Sequence, residues 1–420
     1  METIQPHKVR DSIGILFLLV PLIFSILNIQ TFMTHFGSLS LGQLVAYINT
    51  ILVLIGSIIL FSKRGPFASI IKLWFCFFAL YFVIGTAASF INDNPLPTLK
   101  SLIPCIYFFA FAIFLSIPQY KKVFTITATS AFFISTVLTI VFQRINFSMD
   151  YSGVYVYQLD RAGGVYGDAN QAALVSILTL IFIFYTFIPK SDFQKVLKFL
   201  LMAICIYALV LTFSKTGFLV LLVVLCLIFH KLFTLKRLIL AVFIIPIILL
   251  TGISSALNSE SLTVVQRNRI QSIVDILTFN TQNLDYSGRD VLLKRMLNYV
   301  YDNPILGNGI SFSNDISGHN TIIGVWADAG IITFLVFLLI LFNYYRNAYL
   351  SEGHTRYLAL STIFVLSIFM LSLQSIINQP YLIAVFAYLG YVLENNKAIA
   401  NVDDEYKAPG LNIPISLKRG

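Results

Sequence analysis

Residues 12–30 read SIGILFLLVPLIFSILNIQ, a run without a single acidic or basic side chain. A helix crossing a bilayer takes about 20 mainly apolar residues, and this run has that length. It follows His7, Lys8 and Arg10 and lacks a small-residue cleavage site, so it reads as a retained span with its N-terminus in the cytoplasm, not as a removed signal peptide.

Working outward, apolar runs recur at residues 42–61, 69–90, 101–117, 122–142, 169–188, 196–213, 216–229, 238–255, 320–343, 357–375 and 380–393, which makes about twelve candidate spans. Composition agrees: 58% of the 420 residues are hydrophobic and 11% charged, against roughly a quarter charged in a soluble domain. There is too little polar surface to cover a water-soluble globule. The expected fold is all-α, a polytopic integral membrane protein whose transmembrane domain covers residues 1–394. The polar segment 395–420 is expected to be a disordered cytoplasmic tail.

Assigning loops to alternate sides lets positive charge test the topology. Nine Lys and Arg fall outside, namely Lys100, Arg144, Arg161, Lys215, Arg267, Arg269, Arg289, Lys294 and Arg295, leaving 19 of the 28 on the cytoplasmic side. That asymmetry favours an even number of spans with both termini inside. The net charge of +9 therefore belongs mostly to a membrane topology signal. Long loop 256–319 carries five basic against six acidic residues, and nucleic acid is rejected as a partner on location and on this balance.

Two outer loops stand apart, 143–168 and 256–319, the second far longer than a connection requires. Apolar residues recur in it at helical spacing, through Ile270, Ile273, Val274 and Leu277 and again through Val291, Leu292, Met296, Leu297 and Val300, which predicts two short helices near the outer membrane surface. Ser287 to Asp290 has the Ser-x-x-Asp form of a capping box for the second. Asn303-Pro304 ends that helix, and Gly307-Asn308-Gly309 turns the chain back. The four cysteines all lie in apolar stretches without metal-ligand spacing and read as small buried side chains.

Four cations at the outer face invite a chemical reading. His319 stands where the long loop re-enters the membrane, and a histidine there can hold or exchange a proton or simply snorkel to water. Arg289 falls in the first turn of a predicted helix, where the dipole favours an anion, so a guanidinium there suits a phosphate; pairing with Asp285 or Asp290 is the bland alternative. Lys215 sits in the tight turn Phe213-Ser214-Lys215-Thr216-Gly217, where an ionisable residue hard against hydrocarbon suggests function or snorkelling alike. Arg161 opens a glycine-dense stretch, Arg161 to Asn170, whose glycines suggest close backbone packing, or else a flexible loop. Asp328, within an apolar helix, reads as a buried structural aspartate about 13 Å below His319 along that helix. There is no phosphate loop ending in Lys-Ser or Lys-Thr, no His-Glu-x-x-His and no paired carboxylates at metal-ligand spacing on an outer loop.

Taken together, Ser287-Gly288-Arg289 with its amphipathic helix, Asn303-Pro304-Ile305-Leu306-Gly307-Asn308-Gly309, and His319-Asn320 entering a helix with Asp328-Ala329-Gly330 resemble the O-antigen polymerase and ligase family. Arg161 to Asn170 and Ser214 to Gly217 resemble two weaker family stretches. The resemblance implies a GT-C-like fold and a glycosyltransferase working by metal-independent, inverting transfer at the outer face of the bacterial inner membrane. It needs no cofactor, and its donor and acceptor are undecaprenyl-pyrophosphate-linked oligosaccharides. It further implies His319 as the essential catalytic histidine, Arg289 as a donor-pyrophosphate ligand, and Arg161, Lys215 and Asn320 as further substrate-binding residues. Lys215 stands where the family has arginine, and a lysine supplies charge without the bidentate fork that suits phosphate. A chain-length regulator and a flippase are implied as partners beside the lipid bilayer. A polysaccharide polymerase is the leading expectation, with a ligase onto lipid A-core and a lipid-linked glycan flippase as alternatives.

Overall fold

The structure, a computed structural model, describes residues 6–94, 99–149, 159–230, 262–277, 289–316, 318–374 and 376–406. The chain is helical throughout these residues. Seven helices are long and apolar enough to cross a membrane: α1 (Pro6–Ile26), α3 (Leu39–Phe61), α4 (Ser69–Ile91), α6 (Pro118–Arg144), α7 (Ala169–Thr186), α8 (Asp192–Leu211) and α13 (Thr321–Leu350). Three more are apolar but shorter, within α5 (Leu99–Leu115), α9 (Lys215–Ile228) and α15 (Pro380–Tyr406), and α14 (Gly353–Met370) completes the bundle. Each expected span coincides with one of these helices except 238–255, which lies outside the described residues.

Which helix sits at the centre follows from its sequence. α7 is apolar all round, and 83% of it is buried, as a helix with no polar stripe requires. Its Ser176, Thr179 and Thr186 hydroxyls bond back to carbonyls one turn earlier, and Thr179 also meets Thr136 of α6 at 3.0 Å. α3 and α8 instead expose stripes of large apolar side chains, Ile51, Ile55 and Ile58 on one and Phe193, Val196 and Phe199 on the other. Such faces suit hydrocarbon.

Three details differ from expectation. Of the cysteines only Cys205 is buried, while Cys76 and Cys226 are exposed; both lie on spans, where an outward thiol meets lipid and not water. A short helix that periodicity had not flagged, α2 (Ile29–Phe36), links α1 to α3. The tail expected to be disordered from residue 395 begins as helix, because α15 runs on to Tyr406: no glycine or proline interrupts it before Pro409. The two helices predicted in the long loop are present, α10 (Val264–Leu277) and α11 (Arg289–Asp302), followed by the single turn α12 (Phe312–Asp315).

α13 is broken, and the break organises the outer end of the molecule. Ala329 and Gly330 leave helical geometry, Gly330 with φ +71°. The turn after α11 fills the gap: Asn308 N–H donates to Ala327 O (2.8 Å), Gly309 N–H to Asp328 O (3.0 Å), and Ile331 N–H to Pro304 O (3.1 Å). A Cβ at Gly330 would stand 1.9 Å from Ile305 O, so only glycine fits.

Candidate functional site

The site is built where helix starts converge. Asp168 caps α7, its carboxylate accepting the N–H groups of Asn170 (2.7 Å) and Gln171 (2.8 Å), and an acidic cap before an apolar run is a well-founded helix start. Ser214 caps α9 through Gly217 N–H at 3.1 Å. Between them, Asn170 Oδ1 accepts from Ser214 Oγ at 2.8 Å and from Arg161 Nη2 at 3.4 Å, while Arg161 Nε donates to Thr212 O at 3.0 Å. The glycine-dense loop is packed, not flexible: Gly164, with φ +55°, lies so close to Thr139 that a Cβ would come within 2.3 Å of its hydroxyl. Arg161 is thus aimed by the Thr212 carbonyl on one side and the Asn170 side chain on the other.

Arg289 is the first described residue of α11; Ser287 and Gly288, its expected cap, lie outside the described residues, as does Asp285. His319 precedes α13 and adopts φ +48°, a left-handed geometry uncommon outside glycine, though histidine is enriched there with asparagine and aspartate. Asn320 caps α13 by accepting Ile323 N–H at 3.0 Å. Its oxygen is committed there, so its contribution is to fix the helix start immediately behind His319.

Electrostatics bring Arg161, Arg269, Arg289, His319 and Asp168 into one cluster. Partial burial lowers the Arg161 guanidinium to about 10, with Arg269 and Arg289 pressing the same way and Asp168 opposing them. Arg289 is lowered by burial and by Arg269, again opposed by Asp168. His319 is pushed below its ordinary 6.5 by partial burial and by the charge of Arg289, with Asp168 countering. The result is a set of charged arginines beside an imidazole held neutral at pH 7. Partly buried cations gathered in one place suit an anion.

Of the expected residues, Arg161, Arg289 and His319 come together, with Asn320 adjoining. Lys215 is the first residue of α9, half-buried and next to Ser214, but among the described residues it is not one of the groups that move the titration of the other three. Asp328 proves to be structural: its carboxylate accepts Tyr81 Oη–H at 2.7 Å and Ser313 N–H at 2.6 Å. It still reaches His319 indirectly, because Ser313 O accepts from the Gln374 amide, whose oxygen accepts His319 N–H at 3.3 Å. Among the described residues no group of three or more His, Cys, Asp or Glu side chains converges as a metal site would need.

Sequence reasoning missed four contributors. Arg269 appears there only as one of nine outer cations, and nothing local distinguishes it from Arg267. Asp168 carried a usable signal as an acid before an apolar run. Asn170 and Gln374 carried none, since their roles depend on partners far away in the chain.

Comparison with known families now bears on this geometry. Residues 199–338 match the family model for the O-antigen ligase. Over this third of the chain the sequence is similar to that family. The match takes in Lys215, Arg269, Arg289, His319 and the kink at Asp328-Ala329-Gly330, while Arg161, Asp168 and Asn170 lie outside it. The fold therefore completes the family segment with a loop from the other half of the chain. No curated protein matches the chain. The apolar helices make it a multi-pass membrane protein, and the matched segment is similar to the ligase and polymerase type of membrane enzyme.

Proposed function

We propose that the chain is a bacterial polysaccharide polymerase, which transfers a polyprenyl-pyrophosphate-linked glycan onto the next lipid-linked repeat unit at the outer face of the inner membrane. The observation that carries this reading is the meeting of Arg161, Arg269 and Arg289 with a depressed-pKa His319 at one end of the bundle. In the reaction, an acceptor hydroxyl oxygen attacks the anomeric carbon of the donor. The bond from that carbon to the pyrophosphate oxygen breaks, its electron pair leaves with the pyrophosphate, and the hydroxyl proton passes to the neutral imidazole of His319. Attack opposite the leaving group inverts the anomeric centre. The arginines stabilise the departing polyanion, the part of the transition state with the greatest charge, and the N-terminal ends of α7 and α11 add their dipoles. Grooves between the spans suit the polyprenyl tail.

In this reading both termini are cytoplasmic, a flippase delivers the substrate and a chain-length regulator acts beside the enzyme. Ligation onto lipid A-core uses the same donor chemistry and is favoured by the description of the matched family. A transporter, in contrast, would spread charge through mid-membrane helices, whereas the cluster here is gathered at one end.

Mass spectrometry of carrier-linked and mature glycans from the source strain, with wild type, a deletion or His319→Ala, tests the reading. Single repeats still transferred to the final acceptor identify a polymerase that needs His319. Long chains stranded on the carrier identify a ligase, and unchanged glycan in all three strains removes the transferase reading.

A further inference from the structure

Beside the cationic cluster lies a cavity of about 700 Å³ that the reaction scheme does not use. Its walls come from α2, α3, α5, α12 and the start of α15, and six carboxamides line it: Asn28, Gln30, Gln43, Asn314, Asn378 and Gln379. Among the described residues its charged lining is Lys100 and Asp315, one of each sign, which does not suit a phosphate. Each carboxamide presents both a donor and an acceptor, the pairing that adjacent sugar hydroxyls match. Among the described residues Gln30, Gln43, Asn314 and Asn378 hold no other protein group with their carboxamides. The ring of Tyr47, 38% exposed, offers a flat apolar surface for the C–H face of a sugar. The volume lies in the range of roughly 300–1,000 Å³ that serves small-molecule sites.

A second observation points to a ligand. A narrower pocket of about 80 Å³ shares Asn28, Gln30 and Gln379 with the cavity and ends on Asn49. Asn49 is 7% exposed, and its carboxamide has no hydrogen-bond partner among the described residues. Buried amides are ordinarily paired, and this one lines the narrow pocket.

The cavity is also wired to the reacting centre through three of its walls. Asn28 donates to Val165 O at 2.8 Å, in the loop between Arg161 and Asp168. Gln379 is two residues from Tyr381, whose hydroxyl accepts from Gln171 at 2.9 Å, next to Asn170. Asn314 follows Ser313, which reaches His319 through Gln374.

We propose that this cavity is a carbohydrate subsite, gripping neutral sugar rings of the glycan away from the carbon that reacts and so selecting which repeat unit is used. The proposal rests on the glycan-transfer reading above. Its test uses the full-length protein in detergent and, as probe, the repeat-unit oligosaccharide freed of lipid and pyrophosphate by mild acid hydrolysis of the source strain's polysaccharide. Binding is followed by saturation-transfer NMR and titration calorimetry. Wild type and Arg289→Ala are expected to bind it alike, whereas Gln43→Leu and Asn314→Leu weaken Kd at least tenfold. In transfer assays those two variants raise KM for the glycan while kcat stays within threefold. Asn49→Leu is expected to lose binding while its Tm holds or rises, whereas a purely structural asparagine would lower Tm on replacement. Equal binding by wild type and the cavity variants, or no binding by wild type at millimolar probe, overturns the proposal. The glycan profile of the deletion strain is read separately: if deletion changes it while the cavity variants bind normally, the subsite falls and the transferase reading stands.

Discussion

Arg161 and Ser214 meet on one oxygen, the Oδ1 of Asn170, at 3.4 Å and 2.8 Å. That shared acceptor joins the start of α7 to the start of α9 and holds a guanidinium in place between them. Asn170→Leu removes the acceptor while keeping the volume, leaving a buried hydroxyl unpaired. The expected cost is about 1–3 kcal/mol, read as a drop of a few degrees in Tm in detergent, together with a raised KM for the lipid-linked donor. An unchanged Tm and KM would show that Arg161 is positioned by Thr212 alone.

In the proposed reaction, His319 sets the acid limit of activity. Its pKa lies below 6.5, and the neutral form takes the proton, so kcat/KM is expected to be flat at pH 7 and to fall as pH drops through that lowered value. Removing a nearby cation favours the imidazolium and raises the pKa, so Arg289→Gln shifts the acid limb to higher pH. Asp168→Asn removes the opposing anion and shifts it lower. Limbs that move the other way, or not at all, would mean that the titrating group is not His319.

Arg289→Ala should reduce kcat by about 10²–10³, the scale of losing one preorganised donor to a developing anion. Arg289→Lys restores charge but not the two-pronged geometry, and a partial recovery of about tenfold is expected. Single-turnover rates with a lipid-linked donor distinguish the two.

The backbone at His319 is separable from its chemistry. With φ +48°, a β-carbon there costs about 1 kcal/mol relative to glycine. His319→Gly and His319→Ala are both expected to be inactive, with the glycine variant the more stable by roughly that amount. Equal stability would mean that the loop relaxes out of the left-handed region.

Gly330→Ala is expected to be the most damaging single methyl in the outer half. The added carbon meets Ile305 O at 1.9 Å in a positive-φ position, and neither backbone can retreat without breaking the stitches to α13. Fluorescence-detected size exclusion of a tagged variant should show little monodisperse protein.

Hydropathy made the spans readable because a bilayer demands length and apolarity and little else. The helix at Arg289 and the turn at Gly307 to Gly309 were readable for a related reason, since caps and positive-φ glycines act locally. Arg269 and Asn170 were not, because their significance lies in long-range packing, α10 against α9 and the start of α9 against the start of α7, and no local pattern encodes that. Cys76 and Cys226 misled for the opposite reason: an apolar neighbourhood in sequence says nothing about whether a side chain faces protein or lipid.

Three backbone hydrogen bonds tie residues 304–309 into the break of α13. Arg289 sits at the far end of the helix leading into that tie, and His319 just above the helix that receives it, so the two are carried on one stiff bracket. Parting them means undoing those bonds, each worth about 1 kcal/mol. A change that loosens this bracket is therefore expected to disturb Arg289 and His319 together, not one alone.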